Sequence, residues 1–69
     1  MTSVYEAWVG QPVVLQVAAG DVRVPLHGII TGESPDAVRF RVGEGWDIDI
    51  FKELILAVEE DNWARIVTH

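Results

Sequence analysis

Asp47 and Asp49, separated by one residue, are the pair in this 69-residue chain whose spacing best suits chemistry. On an extended strand they project from one face roughly 6–7 Å apart. That spacing serves a divalent cation or acid–base work. Arg39 and Arg41 supply a simpler account. If the intervening Gly43-Glu44-Gly45 is a hairpin loop, Arg41 faces Asp47 and Arg39 faces Asp49, forming a structural ladder of cross-strand ion pairs. The Gly-rich loop itself lacks the following helix and lysine of a phosphate-binding loop. His27 has no nucleophile or carboxylate near it in sequence, and His69 is terminal. Cysteine is absent and no second histidine lies at metal-ligand spacing. Ser3 and Ser34 stand in neither a G-x-S-x-G nor an S-x-x-K context. No convergent catalytic site is visible, so a protein that is not an enzyme and needs no cofactor or metal is expected.

The aromatic side chains are Tyr5, Trp8, Phe40, Trp46, Phe51 and Trp63. Such a set can stack bases or fill a core. Strand parity places Phe40 and Trp46 on the core face, and Trp8 is expected to plug one end of the fold. Charge argues the same way. Lys and Arg total 5 against 11 Asp and Glu, a formal net charge of −6. Once the predicted ladder is set aside, only Arg23, Lys52 and Arg65 remain to offset the other acids. This balance disfavours a nucleic-acid surface, favours solubility, and leaves room for docking a basic partner.

Four segments must position these residues. Over residues 1–10, Ser3 and Glu6 have capping-box spacing and Gly10 suits a left-handed close, which predicts a short helical turn. An extended lead-in is the alternative. Next, Val13, Leu15 and Val17 alternate, as do Val22, Val24 and Leu26. A turn at Ala19-Gly20 pairs Val17 with Val22, Leu15 with Val24, and Val13 with Leu26, with Gln16 opposite Arg23. The second strand is expected to run on through Gly28 and Ile30, bending at the glycine.

The third segment is a hairpin in which Val42 faces Trp46, Phe40 faces Ile48 and Val38 faces Ile50. Apolar and charge patterns select this register independently. In the fourth, Phe51, Leu54, Ile55 and Val58 have helical spacing, whereas Leu54–Val58 also reads as a buried strand. The strand is preferred because a curved four-stranded sheet needs a closing partner. Glu59-Glu60-Asp61-Asn62 reads as a solvated turn, and residues 63–69 as a final short strand or an ordered tail. Parity turns Val14, Ile29 and Phe51 away from the core.

The expected architecture is one all-β domain over residues 1–69. It is a small, strongly bent, five-stranded antiparallel barrel of SH3-like or Sm-like type, with a short N-terminal helical turn. No apolar run approaches the roughly 20 residues that span a bilayer. MTSVYEAWVG lacks the basic and apolar regions of a signal peptide. A cytoplasmic location away from membranes is therefore expected.

Residues 13–58 resemble the Sm-like branch of the SH3-type barrels, in particular bacterial RNA chaperones of the Hfq type. The points of resemblance are the N-terminal turn, Gly20 in the first turn, and the Gly-centred bend Leu26-His27-Gly28-Ile29-Ile30. A further one is Ile50-Phe51-Lys52-Glu53 leading into Leu54-Ile55-Leu56-Ala57-Val58, which is similar to the family's aromatic-Lys-His step. The resemblance implies rings built by pairing the fourth strand of one subunit with the fifth of the next. It also implies an RNA pocket using the Lys-His pair and a loop aromatic. Here Glu53 stands in place of that His, and Gly32-Glu33-Ser34-Pro35-Asp36 has two acids and no aromatic. The sequence therefore predicts a protein-interaction module that forms homo-oligomers through its edge strands. Its expected contact surface is Val14, Ile29, Phe51, Lys52 and Glu53. An Sm-like RNA-binding oligomer is the first alternative, and a small-ligand or cation-binding barrel the second.

Overall fold

The computed structural model describes residues 3–43 and 45–61. Alternating apolar residues with β-branched enrichment produce five strands. These are β1 (Pro12–Ala19), β2 (Val22–Glu33), β3 (Ala37–Val42), β4 (Trp46–Phe51) and β5 (Ile55–Glu60). They form one antiparallel sheet in the order β4-β3-β2-β1-β5. Single 3₁₀ turns occupy Glu6–Trp8 and Lys52–Leu54. Among the described residues no helix is long and apolar enough to cross a membrane.

The connection from β4 to β5 makes the sheet curl. These strands are consecutive in sequence yet lie at opposite edges. Four inter-strand spacings of a flat sheet would separate them by about 19 Å. The Lys52–Leu54 turn joins Phe51 to Ile55, and four residue steps reach at most about 14 Å even when extended. The sheet bends to meet this limit, but no hydrogen-bonded pairing joins β4 to β5 among the described residues, so it is not closed.

β2 carries the bend. Its first part pairs with β1 and its last part with β3, and Gly28 lies opposite both Val13 and Val42. A register shift between Ile30 and Gly32 leaves Thr31 as the extra residue, a bulge that strengthens the local twist. A second shift makes Leu56 the extra residue in β5. The curled sheet encloses Val13, Leu15 and Val17 from β1, Ile30 from β2, Val38 and Phe40 from β3, and Ile50 from β4. Tyr5, Trp8, Leu26, Val42, Ile55 and Val58 pack around them, half-buried.

The β3–β4 register is the expected one at every pair, including Arg41 with Asp47 and Arg39 with Asp49. The β1–β2 register differs by two residues. Val17 faces Val24, Leu15 faces Leu26 and Val13 faces Gly28, while Gln16 faces Pro25 and Ala18 faces Arg23. The turn is Gly20-Asp21, with Gly20 at φ +64°. Glycine at the first central position is what a type II′ hairpin requires. A two-residue slip preserves which side chains face inward, so apolar alternation alone does not separate the two registers.

Three further expectations are corrected. Ser3 Oγ accepts from the Tyr5 N–H at 3.1 Å, a local turn in place of a capping box to Glu6. Glu59 and Glu60 lie in β5 and not in a turn, whereas Leu54 belongs to the 3₁₀ turn. Trp46, expected in the core, is 72% exposed, and Ile48 is 39% exposed. Both face the core side of β4, but β4 is an edge, and among the described residues no further strand covers them. Gly10 does adopt the left-handed conformation, φ +86°. The reading of Trp63–Val67 lies outside the described residues.

Candidate functional site

The expected contact surface divides into two places. Val14 and Ile29 come together on the face of the sheet away from the core, because Val14 pairs with His27 and Ile29 with the neighbouring Pro12. Both are half-buried. Phe51, Lys52 and Glu53 lie at the far end of β4, where with Pro35 and Asp36 they line a cleft of about 330 Å³. Phe51 is 59% exposed and Glu53 is exposed.

Lys52 is not a free cation. Its Nζ donates to Glu33 Oε2 and lies 5.6 Å from the centre of the Tyr5 ring. Its backbone N–H donates to the Asp36 carbonyl at 2.8 Å. The lysine thus ties the N-terminal turn to the end of β2 through an ion pair and a cation–π contact. The Lys52 ammonium holds the Glu33 carboxyl below its ordinary value of 4.5, helped by Ser3.

The ladder behaves likewise. Arg41 Nε donates to Asp47 Oδ1 at 2.8 Å, and Arg39 Nε to Asp49 Oδ1 at 3.2 Å. The Arg41 hydrogen bond holds Asp47 below its ordinary 3.8. Glu33 and Asp47 therefore support folding fully above the carboxylate range, and this support is lost as pH falls through their depressed values. Acid titration followed by circular dichroism is expected to show stability declining below pH 4.5. Replacing Lys52 by methionine is expected to remove the Glu33 share of that slope. An unchanged slope would show that the pair does not couple to folding.

His27 acquires a partner that the sequence does not reveal. Its Nδ1 lies 3.0 Å from Asp61 Oδ2, and the Asp61 side chain is only 6% exposed. Asp61, 34 residues away, is brought there by the β1–β5 pairing, and its N–H donates to the Pro12 carbonyl at 3.2 Å. A histidine held by a carboxylate is half of an acid–base relay. Among the described residues the cleft beside it is lined by Pro12, Gly28, Ile29, Arg41 and Gly43, none of which offers a hydroxyl or thiol to activate. No group of three or more potential metal ligands occurs among the described residues.

Two other surfaces stand out. Trp46 and Ile48 expose apolar area along the open edge of β4. At the opposite edge, Val4, Tyr5 and Trp8 of the N-terminal segment face Ile55, Leu56, Ala57 and Val58 of β5 across a groove of about 420 Å³. Strand parity identified Trp46 and Ile48 as apolar positions but not their lack of cover. The groove had no sequence signal beyond the aromatic content of residues 3–8.

The fold is thus a small all-β domain built on five antiparallel strands. Comparison with known proteins finds no matching family model, curated protein or solved structure.

Proposed function

We propose that this chain is a non-catalytic protein-interaction module on an SH3-like or Sm-like barrel, and that it self-associates through its edge strands. The strand order, the helical turn ahead of β1 and the long β2 bent at Gly28 support the barrel reading. The observation that carries self-association is the open edge of β4. Trp46, 72% exposed, and Ile48 flank backbone groups without a neighbouring strand among the described residues. An apolar aromatic beside unpaired N–H and C=O groups is a template for pairing with another chain.

The RNA-binding alternative gains nothing from Lys52. The one cation the resemblance supplied is already bound to Glu33, and the chain's −6 charge repels phosphate.

Sedimentation equilibrium at micromolar concentration is expected to show dimers or larger species. Trp46→Ser is expected to raise the dissociation constant by about tenfold or more, as loss of an interface tryptophan does. A strict monomer, or association unaffected by Trp46→Ser, overturns the reading.

A further inference from the structure

We infer that β4 pairs antiparallel with β4 of a second copy about a two-fold axis at Ile48, so that the assembly is a closed dimer and not a ring. This rests on the self-association reading and adds to it the edge used and the symmetry.

Among the described residues the sheet has two open edges, β4 and β5, and only β5 is guarded. Bulges and charges on the core-facing side protect an edge strand from further pairing. β5 has both. Its register shift makes Leu56 an extra residue that breaks the alternation. Glu60, opposite the buried Val13, puts a carboxylate on the core-facing side, and Glu59, opposite Val14, puts one on the other. β4 has neither device. It pairs with β3 without a shift from Trp46 to Phe51. Its core-facing side carries Trp46, Ile48 and Ile50, of which the first two are exposed. The apolar row therefore extends to the open edge.

The other side of β4 selects the occupant. Asp47 and Asp49 project there, and each is held by its own arginine, Arg41 at 2.8 Å and Arg39 at 3.2 Å. Charge on this side is balanced, so a basic strand would compete with the arginines and an acidic one would meet carboxylates. β4 of a second copy brings an apolar row for one side and acids already paired for the other.

A two-fold axis normal to the sheet keeps the core-facing sides of both copies together. Directly opposed residues share a side, so apolar residues must face apolar ones. With Ile48 on the axis, Ile48 faces Ile48, Trp46 faces Ile50, and Asp47 faces Asp49 of the second copy. The two opposed acids are like charges, which is unfavourable alone, but each keeps its arginine. Pairing with β5 of a neighbour is worse on both sides. Glu60 would join the side of Trp46 and Ile48. Glu59 would join the side of the aspartates, and its hydrogen bond from the neutral Gln16, 3.2 Å, leaves its charge in place. An interface that uses the same edge twice closes at two subunits.

The chain lacks cysteine, so single cysteines report neighbours across the axis. Directly opposed residues have Cα atoms about 4.5–5.5 Å apart, within the roughly 4.4–6.8 Å that a disulfide spans. Ile48→Cys, oxidised at a concentration where sedimentation shows association, is expected to give a covalent dimer as the main product. Phe51→Cys lies about 20 Å from its own copy in this register and is expected to give none, as is Leu56→Cys on β5. Circular dichroism checks that each variant is folded. In the unsubstituted chain, hydrogen exchange of the β4 amides is expected to slow as concentration rises, and that of the β5 amides to stay unchanged.

Association beyond the dimer, with cross-linking only when Ile48→Cys and Leu56→Cys chains are mixed, overturns this inference and keeps self-association, since β4 then pairs with β5 of the next copy. Association without any cross-link at Ile48→Cys does the same. A strict monomer overturns both. If its β4 amides are protected at every concentration, the occupant of the edge is the chain's own residues 62–69, and if they are unprotected, the edge is left to a strand of another protein.

Discussion

Gly28→Ala is expected to remove most of the folding stability of this protein. A Cβ built at Gly28 lies 2.1 Å from the backbone oxygen of Arg41 and 2.9 Å from two atoms of the Phe40 ring. The ring can shift by a few tenths of an ångström, but the carbonyl belongs to β3, paired to β2 on one side and to β4 on the other. Relief requires moving β2 away from β3 where β2 also holds β1. Overpacking commonly costs about 1–3 kcal/mol, and more when the obstacle is backbone. At about 0.05–0.15 kcal/mol per residue, a chain of this length has only roughly 3–10 kcal/mol to lose. Urea denaturation should show the midpoint fall by at least half, or no cooperative transition. Gly32→Ala is the control, because nothing lies within 4 Å of its Cβ and its φ is not positive. A Gly28→Ala midpoint equal to that of Gly32→Ala would refute the close-approach argument.

The same glycine shows what the sequence makes legible. Its place in a long apolar strand marks a bend, yet only the sheet order reveals that β1 and β3 both pair with it. Between Val38 and Ile50 two patterns of different physical origin, apolar and ionic, admit one common register, and the structure has it. Between Val13 and Leu26 apolar alternation is the only constraint. It fixes the face and leaves a two-residue slip undetermined, so the positive φ at Gly20 decides. Trp46 exposes a different limit. Parity states which side of a strand a residue occupies, but cover depends on whether another strand lies beyond, a property of the whole sheet. The His27–Asp61 contact is further from reach, because it depends on the β1–β5 register across 34 residues of chain.

Phe40→Ala is expected to be comparably severe for the opposite reason. Phe40 is fully buried, the largest side chain so enclosed among the described residues, and it lies among core residues drawn from β1 to β4. Removing a buried phenylalanine costs about 3–5 kcal/mol through lost transfer energy and the cavity left behind. In so small a core few side chains are available to refill the space. Thermal unfolding should show a midpoint below that of every surface variant, with a reduced or absent transition. A milder substitution separates packing from the bend. Phe40→Leu retracts the ring atoms nearest Gly28 but leaves the Arg41 carbonyl in place. In a double-mutant cycle, Gly28→Ala should therefore cost less in the Phe40→Leu background, by about 0.5 kcal/mol or more, while remaining destabilising because the backbone contact persists. Complete rescue would assign the requirement for glycine to the ring alone. Strict additivity would assign it to the carbonyl alone, and the bend in β2 would then be independent of how the core is filled.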